Sequence, residues 1–275
     1  MDREHREERL AGELGRQLVN AGRDGRAGFT QVTWPASGVR ESIDPDEVHL
    51  WAWALEPATI DLTAHIEILD QQDRERMQRF YFAPDRARFA VAHANLRRIL
   101  GAYLHQPAAG LRFQANSFGK PELFPGDSQT SLHFSLSHSR NIAVVAVTNG
   151  EPVGVDVEDV RPIEPEVADS HFSTSERSQL NQLQGDAWLR GFYRCWTRKE
   201  AILKAEGVGL SRPLDSFDVS LLPGETAQLM GTRRQFNYPW RLHELLPAAD
   251  TIGAVATVQL ETRLTCFSFV NDSSS

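Results

Sequence analysis

Residues 154–158 read GVDVE, and side chains alternate along an extended chain, so Asp156 and Glu158 share one face while Val155 and Val157 take the other. Two carboxylates set side by side in an apolar run repel each other unless something positive stands with them. A second stretch, WTRKEAILKAEG at residues 196–207, reads as helix, and its four-residue spacing stacks Glu200 and Lys204 on adjacent turns of one face. Either stretch alone is ordinary, a polar sheet face or a solvated ion pair. Together they supply three carboxylates and a lysine, each set in an otherwise apolar element. Burying such a set is costly unless a cation and an anionic ligand share it. A hard, oxygen-liganded ion suits it: Mg2+ commonly takes one or two carboxylates plus substrate phosphates, and Lys204 then meets a phosphate.

These residues need a strand and a helix to hold them. DAWLRGFYRCWTRKEAILKAE, with Gly207 placed to end it, predicts a long helix whose apolar side carries Trp188, Phe192, Cys195, Trp196, Lys199 and Leu203 and packs on a sheet. GEPVGVDVEDV predicts a strand after a turn, preceded by strands at HFSLSHS and IAVVAVT. Earlier, VHLWAWAL alternates like a half-buried strand and ILDQQDRERMQRFYF reads as helical. DRARFAVAHANLRRILGAYL predicts a core-facing helix with Asp85 as its N-cap. A short helix is expected around Ser173 to Leu183, and DSFDVSL, WRLHELL, TIGAVATVQL and TCFSFV read as strands and turns. Helices and short strands occur in both halves without regular βαβ alternation, which favours an α+β fold. Residues 1–46, rich in Arg, Glu and Gly at the start, are expected to form a flexible extension, followed by halves at 47–150 and 151–270.

The chain has 275 residues, 41% of them hydrophobic, enough for a sizeable buried core. Its net charge of -8 argues against a broad nucleic-acid-binding surface. Cys195 and Cys266 are the only cysteines, too few for a disulfide framework or a thiolate metal site and compatible with a reducing compartment. With no apolar signal core and no membrane-spanning run, a cytoplasmic protein is expected.

GVDVE followed by WTRKEAILKAEGVGLS resembles the paired signature of the 4'-phosphopantetheinyl transferases, specifically the larger pseudo-dimeric type similar to the surfactin-synthetase-activating enzyme. The likeness continues in family order through RFYF with DRARF, FGKPEL, FSLSHS and PLDSFDV, and covers about Val48 to Leu260. The resemblance implies two similar α+β halves in a pseudo-twofold arrangement within one monomeric chain, with coenzyme A in the cleft between them. It implies transfer of the phosphopantetheine arm from coenzyme A to a serine of an apo acyl or peptidyl carrier protein, leaving adenosine 3',5'-bisphosphate. Asp156, Glu158 and Glu200 match the family's magnesium ligands, with manganese as a substitute, and Glu200 also matches the residue that takes the serine proton. Lys204 and His138 match contacts to the coenzyme A pyrophosphate. Arg76, Arg79 and Arg88 fall in the segment that holds the 3'-phosphate, and Lys120 and Ser137 in the nucleotide-binding loops. By its residues alone, His138 is either a packing histidine or an N–H donor to phosphate.

Two other readings stand beside this one. Another Mg2+-dependent phosphate enzyme, such as a nuclease, could use the same acids but lacks a basic surface for its substrate. A catalytically inactive coenzyme A or carrier-protein binding module would not require Glu200 and Lys204 together. In the family, the segment RPIEPEVADSHFSTSERSQLNQL corresponds to the carrier-docking surface, and Phe172, a large apolar residue in a polar run, is expected there as an exposed anchor.

Overall fold

The computed structural model describes residues 36–37, 40–55, 62–124, 131–232, 235–259 and 261–269. Most of the expected N-terminal extension lies outside the described residues. Its last part is not loose: β1 (Ala36–Ser37) pairs in parallel with Ser268 and Phe269, and the Arg40 guanidinium stands 5.1 Å from the Phe267 ring.

The first half begins with β2 (Glu47–Ala54), then two short helices, α1 (Leu62–Ile68) and α2 (Gln71–Gln78). A 22-residue helix, α3 (Ala83–Leu104), leads to the small pair β3 (Phe113–Ala115) and β4 (Pro121–Leu123) and the hairpin β5 (Leu132–Ser139) and β6 (Ile142–Asn149). The second half repeats this order. It runs from β7 (Gly154–Asp159) through α4 (Glu166–His171) and α5 (Thr174–Leu180) to another 22-residue helix, α6 (Gly185–Glu206). A small pair follows, β8 (Phe217–Val219) and β9 (Leu229–Thr232), then the hairpin β10 (Arg241–Leu245) and β11 (Thr251–Thr257). Sheet connectivity repeats as well: β2 lies antiparallel to β6 and β6 to β5, as β7 does to β11 and β11 to β10. The expected α+β fold of two similar halves is therefore carried by connectivity rather than by any repeat visible in the sequence.

β12 (Arg263–Phe269) breaks the symmetry. It leaves the second half and inserts in parallel between β1 and β2, giving the five-stranded order β1-β12-β2-β6-β5. The segment 151–270 thus contributes a strand to the first sheet.

β2 is buried on both faces rather than half-buried. Trp51 and Trp53 pack with Leu96, Ile99, Leu100 and Tyr103 of α3. Val48, Leu50 and Ala52 pack on the opposite side with Val155 and Val157 of β7 and Val255 of β11. α6 covers the far face of the second sheet, with Phe192, Ile202 and Ala205 against Ile252, Ala254 and Ala256. The layers therefore run helix, sheet, sheet, helix, and the valine face of GVDVE forms the seam between the two sheets.

Local expectations shift in three places. Asp85 is not the N-cap of α3; Phe82 is, with proline at the first helical positions, where its missing N–H costs nothing, and Asp85 lies in the first turn. The helical reading of residues 68–82 resolves into the end of α1 and α2, broken at Asp70, which caps α2 by accepting the Asp73 N–H at 2.8 Å. Phe172 is 2% exposed and packs 5.1 Å from the Phe192 ring, so it is core and not a docking anchor. Several of its polar sequence neighbours are buried with it against α6: Ser173 is 2% exposed, Glu176 pairs with Lys199, and the His171 ring lies 5.6 Å from that of Trp196.

Within α6, Lys199 is fully buried and ion-paired at 2.8 Å with Glu176, itself fully buried. Each charge also satisfies backbone: Glu176 accepts from Ser173 and Val219 N–H, and Lys199 donates to the carbonyls of Leu214 and Phe217.

Candidate active site

Close approach of α6 to β7 builds the site. A Cβ on Gly154 would stand 2.0 Å from the Ala201 carbonyl oxygen and 2.4 Å from the Ala205 nitrogen. Only glycine permits that contact. With Ala201 and Ala205 seated on the strand, Glu200 and Lys204 flank the same face that carries Asp156 and Glu158. The α6 helix ends at Gly207 in the left-handed conformation (φ 69°), as its sequence predicts.

Asp156 is 4% exposed. Its Oδ1 accepts from Lys204 Nζ at 2.6 Å and from Ser137 Oγ at 2.9 Å, while Oδ2 is buried with no hydrogen-bond partner among the described residues. Lys204 also donates to Ser137 Oγ at 2.9 Å. Glu158 is half-buried and accepts from Ser139 Oγ at 2.7 Å. Burial, reinforced by the Asp156 charge, pushes the Glu158 carboxyl above its ordinary value against the pull of Ser139, Arg161 and Lys204. Burial likewise raises Glu200, with Asp156 and Glu158 adding to the rise and Lys204 and His171 opposing it. The Asp156 charge thus disfavours ionisation of both Glu158 and Glu200, with Lys204 opposing it.

The three are not a ready-made cage: among the described residues, no group of three His, Cys, Asp or Glu side chains is gathered closely enough to hold an ion. The expected three-carboxylate set is therefore not preassembled, and Lys204 holds one side of Asp156. The donor chemistry nonetheless fits a hard cation. The orphaned Asp156 Oδ2 faces a ligand deficit that a cation would fill, all the donors are oxygens, and Mg2+ completes its shell from substrate phosphate and water.

A serine ladder joins the halves. Ser135, Ser137 and Ser139 of β5 accept the backbone N–H groups of Val155, Val157 and Asp159 at 3.1, 3.3 and 3.1 Å. These hydroxyls take the place of a backbone ladder along the open edge of β7. The alternating serines of FSLSHS are the signal in the sequence; their partner strand is not.

The other expected residues lie around this centre. His138 lies between Ser137 and Ser139 on β5. Crowding by protein, with the charges of His93 and Lys204 adding to it, draws its imidazole down towards about 4, and solvent at this exposed residue offsets part of that pull. At neutral pH it is an N–H donor rather than a cation. His93, which the sequence reading did not single out, stacks on Phe89 with ring centroids 3.9 Å apart, and the Arg76 guanidinium stands 5.6 Å from the other ring. Arg76 and Arg79 are exposed at the end of α2. Arg88 is engaged by Asp85 at 3.0 Å and Asn141 at 3.3 Å. Lys120 stands apart from the carboxylates, its Nζ donating to the carbonyls of Val153 at 3.3 Å and Ala205 at 3.4 Å, and burial lowers its pKa to about 8. Beside Glu158, an open depression is lined by Arg161, Ile163, Val167, Phe192, Tyr193 and Trp196.

The sequence profile of the 4'-phosphopantetheinyl transferase superfamily matches residues 152–257, and that of the 4'-phosphopantetheinyl transferase N-terminal region matches residues 52–150. The 4'-phosphopantetheinyl transferase HetI of Nostoc sp. is 35% identical over 228 residues, covering 82% of this chain and 94% of that protein. The 4'-phosphopantetheinyl transferase Sfp of Bacillus subtilis is 33% identical over 156 residues, 57% of this chain and 68% of that one. The human L-aminoadipate-semialdehyde dehydrogenase-phosphopantetheinyl transferase is 28% identical over 193 residues, 66% of this chain and 62% of that one. With two halves matched in order by the two profiles and a relative matched along nearly its whole length, this chain belongs to the 4'-phosphopantetheinyl transferase superfamily.

Proposed function

We propose that the chain transfers the 4'-phosphopantetheine arm of coenzyme A to a serine hydroxyl of an apo acyl or peptidyl carrier protein, releasing adenosine 3',5'-bisphosphate, with a divalent cation at Asp156, Glu158 and Glu200. The carrying observation is the Gly154 contact, which sets two strand carboxylates against Glu200 and Lys204 and leaves Asp156 Oδ2 without a partner. Mg2+, or Mn2+ in its place, supplies neutralisation of the pyrophosphate charge when bound.

The residues divide the remaining work. Lys204 donates to a pyrophosphate oxygen, exchanging part of its contact with Asp156 for the substrate. His138 offers a neutral N–H to the same group, and Arg76 and Arg79 hold the 3'-phosphate. The carrier serine oxygen attacks the phosphorus that bears the pantetheine. As that bond forms, the bond from the phosphorus to the bridging oxygen breaks and the nucleotide departs. Glu200 takes the serine proton, directly or through a water, and its raised pKa makes it a more capable base than an ordinary carboxylate. The depression beside Glu158, with Ile163, Val167 and Trp196 on its wall, replaces Phe172 as the surface proposed to receive the carrier.

We further propose a monomer acting in the cytoplasm. Both halves of the site lie in one chain, and both thiols, Cys195 and Cys266, are buried and unpaired. Among the described residues, no helix is long and apolar enough to cross a membrane.

Intact-mass analysis of several apo-carriers incubated with the protein, coenzyme A and Mg2+ tests the reading. One phosphopantetheine gained per carrier is expected. Binding of coenzyme A with no mass gain on any carrier would replace the enzyme by a binding module.

A further inference from the structure

We propose that Ser139 is a positioning residue for the cation site, aiming Glu158 through a hydroxyl whose proton has one place to go; this rests on the metal reading above. A serine hydroxyl carries one proton and two acceptor lone pairs. Ser139 Oγ accepts the Asp159 N–H at 3.1 Å, so its own proton is directed to Glu158 Oε2 at 2.7 Å. Ser137 repeats the pattern one step back, accepting from Val157 N–H and donating to Asp156 Oδ1. At the next step back, Ser135 accepts from Val155 N–H, but the preceding strand residue is Gly154 and no carboxylate exists for it to aim.

The ladder is thus one repeated device, each serine taking the N–H of a β7 residue, and Ser137 and Ser139 also orienting the carboxylate just before it. Ser139 is 8% exposed, so water does not readily substitute for it. Glu158 receives this bond on one oxygen only, which leaves Oε1 for a cation. Ser137 is already bound to Lys204 and Asp156, whereas Ser139 touches the site through Glu158 alone. Groups that hydrogen-bond metal-ligating side chains typically govern affinity by 10- to 100-fold.

The test is calorimetric titration of Mg2+ into the protein saturated with coenzyme A, for wild type and for Ser139→Ala, Ser139→Thr, Ser139→Val and Ser135→Ala, with kcat and the apparent KM for Mg2+ alongside. Thr and Val have the same shape and differ in the hydroxyl, so a packing disturbance moves both alike. Ser135→Ala removes an equivalent bond of the seam without touching a carboxylate. Ser139→Ala and Ser139→Val are expected to weaken Mg2+ at least about tenfold and to raise its KM, with Ser139→Thr and Ser135→Ala within about threefold of wild type. Equal Mg2+ affinity for the Thr and Val variants, or equal losses in Ser139→Ala and Ser135→Ala, would overturn the proposal while leaving the metal reading intact. Failure of the wild type itself to bind Mg2+ would overturn that reading and the proposal with it.

Discussion

Gly154 and Ala201 touch backbone to backbone, so closely that the smallest side chain on the strand would overlap the helix carbonyl. Every carboxylate–lysine distance in the site depends on this contact.

Gly154→Ala should therefore uncouple the site. The overlap is with backbone, which no rotamer change relieves, so α6 must move off β7. Overpacking typically costs 1–3 kcal/mol, and a backbone overlap belongs at the upper end, about 3 kcal/mol. Urea unfolding should report that loss, and transfer in the surviving folded fraction should fall by at least about 100-fold, because displacing reacting groups by about 1 Å suffices for that. Wild-type turnover in a folded Gly154→Ala protein would show that the contact is not what aligns the acids.

Glu200→Gln should separate stability from activity. Burial, with the Asp156 and Glu158 charges adding to it and Lys204 and His171 opposing, pushes the Glu200 carboxyl up, so in the absence of divalent cation the charge is a burden on the fold. Removing it should raise Tm by roughly 2 °C, since about 1 kcal/mol shifts a protein of this size by a few degrees. Transfer should be abolished with the circular-dichroism spectrum unchanged. A lower Tm measured by differential scanning calorimetry would mean that Glu200 is held by favourable contacts.

Arg76 and Arg79 are exposed at the end of α2, whereas Arg88 is tied to Asp85. Arg76→Ala and Arg79→Ala should each weaken coenzyme A by about tenfold, near 1.4 kcal/mol, and leave dephospho-coenzyme A nearly unchanged. The preference for the 3'-phosphate should shrink in high salt. Equal affinity for the two ligands across salt concentrations would place the basic groove elsewhere.

Asp73 links stability to acid pH. Burial alone would raise its pKa, but His93 and Arg97 outweigh burial and hold it at about 2 against an ordinary 3.8. A depressed carboxylate contributes stability that is complete above its unfolded value and is lost as pH falls from about 4 to about 2. The shift corresponds to about 2 kcal/mol. Asp73→Asn should lose that amount at pH 7, and its stability should fall less steeply than that of wild type through the window. Parallel urea-unfolding profiles against pH would refute the linkage.

What the sequence disclosed followed the range of its signals. The apolar side of α6, its Gly207 terminator and the alternation of GVDVE are local; the structure joins Lys204 to Asp156 and sets Glu158 and Glu200 within reach of the Asp156 charge, without gathering the three acids into a cage among the described residues. Phe172 misled because its neighbours along the chain are polar, while burial is decided by Phe192 on another helix. FSLSHS reads in sequence as a strand, with Ser137 assigned by resemblance to a nucleotide-binding loop. The work of its serines depends on an edge of β7 lying 20 positions further on, which periodicity within β5 cannot disclose. Lys199 counted only as one member of an apolar side until Glu176 appeared beside it.

The place of β12 between β1 and β2 constrains how the protein comes into being. The first half, though contiguous from β2 to β6, exposes an unpaired edge of β2 until residues 263–269 have been synthesised and have returned to cover it. An open, largely apolar edge carrying Leu50, Trp51 and Trp53 invites pairing with other nascent chains. The second half must therefore deliver its strand before the first is safe, which makes the two halves a single unit of biogenesis even though they repeat one design.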